Sequence, residues 1–264
     1  MKNKKSLGQH WLKNRVILDE IAALAAGEGA EASASLSPAS KIPTKTGVVV
    51  EIGPGLGTLT SSLLKRFNRV IAVEYDANLA KNLPKSFPGK NLEVLYADIL
   101  DFDFSKMEAP YSVAGNIPYY ITSPIIEKVL TAKNLPERVV LLIQKEVAER
   151  IVSEKETMLS LFVKNRAKVE LGPVVEKAEF TPPPKVDSQV IVLEPHAPEV
   201  PDEVFKIIRQ GFAAPRKKLL HNLAGLKSKE ELGQILVKLG IDVNARPGDL
   251  KLADWQNLYS AIYK

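Results

Sequence analysis

The segment "NIPYY", residues 116–120, places an amide, a proline and two tyrosines at the end of an apolar run. These residue types suit chemistry on the exocyclic amine of a nucleobase, which is a poor nucleophile because its lone pair is delocalised into the ring. The side-chain oxygen of Asn116 can accept one amine N–H and the Ile117 carbonyl, fixed by Pro118, the other, which aims the lone pair at a methyl donor. Tyr119 offers a face for stacking a flipped base. Five residues alone leave open a strand that ends in a proline turn with core tyrosines.

A glycine-containing segment, "EIGPGLGTLT", follows an earlier apolar run and opens a helical pattern. Open α/β sheets bind nucleotide-like ligands at such a place. The match to a dinucleotide fingerprint is imperfect, because Gly53 and Gly55 are followed by Thr58 where a third glycine is expected. Pro54 has no N–H to offer a pyrophosphate. The segment therefore predicts a ligand without phosphates.

Two acidic residues follow at the ends of the next predicted strands. Glu74 lies 21 positions after Gly53, where a carboxylate can accept hydrogen bonds from both ribose hydroxyls. Asp98 ends the third strand and could accept from an adenine amino group. Each acid alone could instead cap a helix, but together with the glycine loop they favour S-adenosylmethionine, which has adenine and ribose but no phosphate.

A second aromatic candidate lies in "FTPPPKVDS", residues 180–188. Three prolines make this segment stiff and extended, so it can hold Phe180 in a fixed place. Phe180 could then form the wall of a base pocket opposite Tyr119. The alternative is a rigid edge connection with Phe180 in the core.

The elements that must position these residues are alternating strands and helices. Strand-length apolar runs recur between residues 48 and 144, with helical patterns between them. This alternation predicts an α/β fold with a parallel, doubly wound sheet. Residues 28–46, rich in Ala, Ser, Gly and Pro, are interpreted as a flexible insertion. A Pro-rich linker near residue 196 leads into helical patterns, so we expect domains at 1–195 and 196–264.

The charge distribution suits a polyanionic partner. The formal net charge is +5, and residues 201–264 carry eleven Lys or Arg against seven Asp or Glu, including Arg216, Lys217 and Lys218. A basic rim of this kind is typical of nucleic-acid contact. On charge alone, an ordinary solvated surface is an equal alternative.

Composition narrows the remaining classes of protein. The chain has no cysteine, which excludes disulfides and thiolate metal sites. No apolar run is long enough for a membrane span, and the N-terminal residues lack a secretory pattern. We expect a cytoplasmic monomer that needs no metal and no membrane.

Eight segments in order resemble those of the small-subunit ribosomal RNA adenine dimethyltransferases: "KKSLGQHWL", "VVEIGPGLGTLT", "VIAVEYD", "ADIL", "GNIPYYITSPII", "QKEVAERIV", "FTPPPKVDSQVIVL" and "GFAAPRKKLLHNL". The resemblance implies a class I S-adenosylmethionine-dependent methyltransferase fold, Rossmann-like, with a mostly parallel seven-stranded sheet and a small all-helical C-terminal domain. It also implies dimethylation of N6 on two adjacent adenosines in a hairpin loop near the 3′ end of small-subunit (16S) rRNA. The partner would be an immature small ribosomal subunit.

The resemblance also assigns roles to individual residues. It implies that Asn116 holds the target amine beside the cofactor and that Tyr119 and Phe180 sandwich the target base. Cofactor contacts would come from residues at the N-terminus and on the strand ends: His10, Leu12, Gly53, Gly55, Glu74 and Asp98. RNA would be bound by Arg216, Lys217 and Lys218.

Three positions depart from the family pattern. Trp11 stands where Phe is usual, the segment "VSEKETMLSLF" is short, and Pro215 precedes Arg216 where a basic residue is frequent. The short segment and Pro215 bear on RNA contacts rather than on the cofactor. Two other functions stay open: a methyltransferase for adenine in DNA or for a protein glutamine, and a binding protein that acts as an assembly checkpoint or a transcription factor.

Overall fold

The computed structural model describes residues 9–28 and 46–263. Apart from its first and last residues, the predicted insertion at 28–46 lies outside them. The chain divides into two compact units. The first comprises the chain up to Ala148 together with Lys168–Pro195, and the second comprises Glu149–Ala167 and the residues from His196 onward.

A seven-stranded sheet forms the centre of the first unit. Its strands are β2 (Thr46–Ile52), β3 (Phe67–Glu74), β4 (Leu92–Tyr96), β5 (Tyr111–Asn116), β6 (Arg138–Gln144), β7 (Ala167–Val175) and β9 (Ser188–Pro195). Their spatial order is β4-β3-β2-β5-β6-β9-β7. Strands β2 to β6 are paired in parallel, and β9 runs antiparallel to β6. The predicted α/β fold with a mostly parallel sheet is confirmed.

Helix α1 (Arg15–Ala25) precedes the first parallel strand, and three helices lie between later ones: α2 (Thr58–Arg66), α3 (Ala77–Asn82) and α4 (Thr122–Leu130). The side chains of Asn14 and Asp76 cap the first turns of α1 and α3 by accepting backbone N–H groups. Gly57 begins α2 with a φ of 82°. A Cβ at Gly57 would come within 2.8 Å of Phe87, so both backbone angle and space require glycine.

A small two-stranded sheet joins two segments that are distant in sequence. Strand β1 (Trp11–Leu12) pairs antiparallel with β8 (Phe180–Thr181), so that Trp11 lies opposite Thr181 and Leu12 opposite Phe180. Leu12 and Phe180 belong to the hydrophobic core of the first unit. The pairing holds the neighbouring residues of the two segments, such as His10 and Pro182, close to each other.

The second unit is helical, with α6 (Met158–Lys164), α7 (Asp202–Gly211), α8 (Leu219–Leu223), α9 (Lys229–Lys238), α10 (Leu252–Tyr263) and the end of α5 (Lys145–Val152). Its core surrounds the fully buried Trp255. The sequence-based division at residue 196 differs from the structure here, since residues 149–167 group with the later helices. Leu161 packs in their core, and the Asn165 amide exchanges two hydrogen bonds with the Val200 backbone.

Within the described part of the chain, no helix is both long and apolar enough to cross a membrane.

Candidate cofactor and substrate site

A cavity of about 430 Å³ lies at the carboxyl ends of the parallel strands of the first unit. Five segments supply most of its lining: residues 9–11, 51–55, 73–75, 97–100 and 116–121. Because parallel strands end at the same edge of a sheet, residues far apart in sequence converge there. The cavity brings together His10, Gly53, Gly55, Glu74, Asp98, Asn116 and Tyr119, seven of the nine residues predicted from the sequence to meet cofactor or base.

The glycine loop follows β2 and has left-handed backbone angles at both predicted positions. The φ angles are 63° at Gly53 and 58° at Gly55. A Cβ at Gly55 would come within 3.0 Å of the Trp11 indole, whereas one at Gly53 would meet no atom within 4 Å. Gly53 therefore leaves open space in which a ligand can approach the backbone closely.

Glu74, at the end of β3, is held in place by the backbone. Its Oε2 accepts from the Gly55 N–H at 3.0 Å, and its Oε1 accepts from the Asp76 N–H at 2.8 Å. Burial raises the pKa of Glu74, although these backbone donors act in the opposite direction. Each carboxylate oxygen retains a second lone pair, so the fixed side chain can still accept from two hydroxyl groups.

Asp98 follows β4 and is half-buried at the cavity. Its Oδ1 accepts the backbone N–H of Leu100 at 2.9 Å, which orients the carboxylate. The position agrees with the predicted acceptor for an amino group, and the same bond shows that Asp98 also shapes the turn after the strand.

Asn116, at the end of β5, has an amide whose orientation is set by a neighbour. Its Nδ2 donates to the backbone carbonyl of His10 at 2.9 Å. Because a carbonyl can only accept, the amide nitrogen must face His10, and Oδ1 remains available as an acceptor. His10 is anchored in turn, since its Nδ1 lies 2.8 Å from the carbonyl of Pro182 and donates to it.

Tyr119 lines the cavity three residues after Asn116. Its ring stacks on that of His10, with centroids 6.0 Å apart and planes inclined by 21°. Its hydroxyl lies 2.7 Å from Ser188 Oγ, and burial raises the pKa of the phenol. Tyr119 is therefore a fixed aromatic surface beside Asn116.

Two predicted site residues do not line this cavity. Leu12 is fully buried and Phe180 is 3% exposed, and both side chains lie in the hydrophobic core. The β1–β8 pairing explains this placement, because its register turns these two opposed side chains inward while Trp11 reaches the cavity. The structure does not place Phe180 as a wall opposite Tyr119.

Glu51 lines the cavity and was not singled out from the sequence. It lies on β2 directly before the glycine loop and is 1% exposed. Its Oε2 accepts from Thr60 Oγ1 at 2.6 Å, whereas Oε1 is buried without a partner. The available signal was one acid inside the apolar run "VVVEI".

The charge of the described cavity lining is one-sided. It includes the carboxyl groups of Glu51, Glu74 and Asp98 and no lysine or arginine. Such a lining disfavours phosphates and suits a ligand with cationic groups. S-adenosylmethionine carries a sulfonium and an ammonium group, so the residues present fit this cofactor.

A basic pocket of about 680 Å³ lies on the second unit. The three predicted RNA-binding residues line it, together with three that sequence analysis missed: Arg216, Lys217, Lys218, His221, Asn244 and Arg246. Lys218 Nζ donates to Asn244 Oδ1 at 2.7 Å, and Lys217 Nζ lies 3.3 Å from His221 Nε2.

Between residues 9–28 and 46–263, no group of three or more His, Cys, Asp or Glu side chains is arranged to hold a metal ion. A metal-independent reaction stays a prediction.

Comparison with known proteins identifies the family. All 264 residues match the family model described as "Ribosomal RNA adenine dimethylase". A relative from Dehalococcoides mccartyi strain CBDB1, named "Ribosomal RNA small subunit methyltransferase A", is 38% identical over 98% of this chain and 88% of its own length. One from Thermosynechococcus vestitus with the same name is 37% identical over 98% of this chain and 96% of its own length.

Two solved structures share the fold over almost the whole chain. A dimethyladenosine transferase from Plasmodium falciparum has a TM-score of 0.70 and 28% identity, covering 94% of this chain and 95% of its own. The 23S rRNA methyltransferase ErmE has a TM-score of 0.70 and 25% identity, covering 96% and 100%. With the acidic cavity, the glycine loop and the oriented Asn116, these matches show that the chain belongs to the ribosomal RNA adenine dimethylase family and is an S-adenosylmethionine-dependent methyltransferase.

Proposed function

We propose that this enzyme dimethylates N6 of two adjacent adenosines in a hairpin loop near the 3′ end of small-subunit rRNA, within an immature small subunit. The names of its relatives support the small-subunit substrate. The observation that carries the chemistry is the orientation of Asn116, whose amide oxygen is left free to accept at the edge of an acidic cavity.

The chain itself contributes positioning. In the first transfer Asn116 Oδ1 accepts one N–H of the target amine and the Ile117 carbonyl accepts the other, so the nitrogen lone pair is directed away from both acceptors; in the second transfer the monomethylated amine has one N–H for one of these acceptors. Bound S-adenosylmethionine supplies an electrophilic methyl group on its sulfonium. Alignment of the two reactants accounts for the rate enhancement, and the scheme requires no general base.

Aromatic stacking holds the base. Tyr119 is fixed by His10 on one face and by Ser188 at its hydroxyl, so it offers a rigid platform to an adenine. Such stacking contributes about 1–3 kcal/mol per base. Because Phe180 lies in the core, we assign stacking on the target base to Tyr119 alone.

The cofactor is held by residues from three strand ends. Glu74 accepts from the ribose hydroxyls, Asp98 accepts from the adenine amino group, and the loop at Gly53 and Gly55 admits the close approach of the ligand. The fixed orientation of Glu74 and Asp98 by backbone N–H groups supports these roles.

The basic pocket of the second unit contacts the RNA backbone. Arg216, Lys217 and Lys218 would neutralise phosphates, so RNA affinity should fall steeply with salt, and alanine at all three should flatten that dependence. An unchanged salt dependence in the triple variant would show that these residues do not contact RNA.

A monomeric state and a cytoplasmic location remain part of the proposal.

An Asn116→Ala variant tests the proposed chemistry. We expect methyl transfer to small subunits to fall by about 10²-fold or more, because the amine is no longer aligned. Cofactor affinity, measured by calorimetry, should change only a few-fold. Asn68→Ala is the matched control, since Asn68 is exposed at the opposite end of β3 from Glu74.

Methyl transfer by Asn116→Ala at the wild-type rate would refute the role of this amide.

Competition between RNA, DNA and protein substrates separates the proposal from a methyltransferase for DNA adenine or protein glutamine. Family membership and the basic pocket favour RNA.

A further inference from the structure

Glu51 is buried and lines an acidic cavity, and no lysine or arginine is among the described residues of that lining. On β2 it lies between Ala72 of β3 and Ala114 of β5, in the middle of the sheet. Thr60 of α2 donates to one carboxyl oxygen, and the other oxygen is buried without a partner. A glutamine could accept the Thr60 bond equally well, so packing alone does not require an acid here.

The groups around Glu51 favour its neutral form in the cofactor-free protein. Glu74 on β3 is the nearest charged neighbour, and the described cavity lining adds Asp98 and the ring of His10. The two cations of α2 are in its last turn, where Lys65 pairs with Asp19 and Arg66 pairs with both Asp19 and Glu28.

Burial is the main cause of this preference, and the charge of Glu74 adds to it. Together they raise the pKa of Glu51 to about 8, against the opposing hydrogen bond from Thr60. At neutral pH the side chain therefore carries a proton that it would not hold in water.

We propose that binding of S-adenosylmethionine expels the proton of Glu51, so that the ionised carboxylate neutralises a cationic group of the cofactor. Glu51 lines the cavity and has one carboxyl oxygen without a partner, which is the acceptor that this role needs, and the acidic lining favours a cation. The proton leaves to the buffer. The proposal rests on the assignment of this cavity to the cofactor.

Proton linkage determines the direction in which pH changes the affinity for the cofactor. Because the cofactor prefers the ionised form of Glu51, its affinity rises with pH up to about 8. Below that pH the affinity changes by up to about tenfold per pH unit.

Calorimetry of the whole protein measures the proton directly. Titrations with S-adenosylmethionine at pH 7, in buffers of different ionisation enthalpy, should show release of about one proton per cofactor bound. Glu51→Gln should bind with almost no release and with an affinity that no longer depends on pH in this range. Binding by the wild type without proton release, or release retained in Glu51→Gln, would overturn the proposal.

A second ligand identifies the cationic group. S-adenosylhomocysteine keeps the ammonium but lacks the sulfonium, so equal proton release assigns the ammonium, and release with S-adenosylmethionine alone assigns the sulfonium. Both results support the proposal. Absence of binding by the wild type would refute the cofactor site itself, which separates that failure from failure of the role of Glu51.

Discussion

Glu51 and Glu156 are both almost completely buried, and their surroundings are opposite. Glu51, in the first unit, has one hydroxyl donor, a second carboxylate nearby and one oxygen without a partner. Glu156, in the second unit, accepts from Lys164 at 2.9 Å, Lys251 at 3.0 Å and Ser160 at 2.7 Å. Burial alone therefore does not decide the charge of a carboxyl group.

The two pKa values follow from these partners. Burial dominates at Glu51 and raises its pKa. Burial also opposes ionisation of Glu156, but the hydrogen bonds from Lys164, Ser160 and Lys251 outweigh it and lower the pKa. A buried acid without a cation indicates a ligand-binding site. A buried acid that is paired with two lysines indicates a structural link, that is, a set of ion pairs that stabilises the fold.

The largest expected effect on stability comes from Glu156→Ala. It removes every hydrogen bond of this buried carboxylate and leaves the partly buried ammonium of Lys164 without its counter-ion, so the free energy of unfolding should fall by roughly 2–4 kcal/mol. Urea unfolding measures the change. Glu154→Ala, at an exposed position in the same segment, should shift stability by less than about 0.5 kcal/mol. Equal effects of the two substitutions would show that the buried link is not structural.

A smaller effect of opposite sign is expected for Glu51→Gln. In the native state Glu51 binds its proton more tightly than in the unfolded chain, so its contribution is full below its ordinary pKa of 4.5 and is lost as pH rises through about 8. Glutamine avoids this loss, so the cofactor-free variant should be more stable than the wild type by about 1–3 kcal/mol at pH 8.5. Thermal unfolding between pH 6 and 9 checks this, and destabilisation across the whole range would contradict it.

Glu156 should show the reverse pH dependence. Because its native pKa is lowered, its contribution is present above the ordinary value of 4.5 and is lost as pH falls through the native pKa. Acid unfolding of Glu156→Gln should therefore begin from a lower stability and depend less steeply on pH below about 5 than that of the wild type. Parallel acid limbs for the two proteins would refute the assignment.

The smallest expected change comes from Lys251→Met. The side chain of Lys251 is 52% exposed, so water screens its pair with Glu156, and Lys164 remains as a partner. The loss should be below about 1 kcal/mol in urea unfolding. A loss as large as that of Glu156→Ala would mean that Lys251 alone carries the link.

The sequence was sufficient to predict those site residues that directly follow an apolar strand. Glu74, Asp98 and Asn116 were placed correctly in the cavity because each follows an apolar strand of a parallel sheet, where side chains must converge. Their roles toward cofactor and base stay predictions.

Sequence analysis is least informative where long-range contacts decide the structure. The burial of Leu12 and Phe180 depends on a two-residue pairing between segments 168 residues apart, which has no local signal. The grouping of residues 149–167 with the second unit depends on the Asn165 contact with Val200. Glu51 was missed because it lies within an apolar strand, and its missing partner is visible only in three dimensions.

The most direct test of the account is methyl transfer from labelled S-adenosylmethionine to unmethylated small ribosomal subunits, followed by digestion and mass analysis of the nucleosides. We expect dimethyladenosine at two adjacent positions with the wild type and almost none with Asn116→Ala. Wild-type protein that binds the cofactor but yields no dimethyladenosine on these subunits would contradict the proposed substrate.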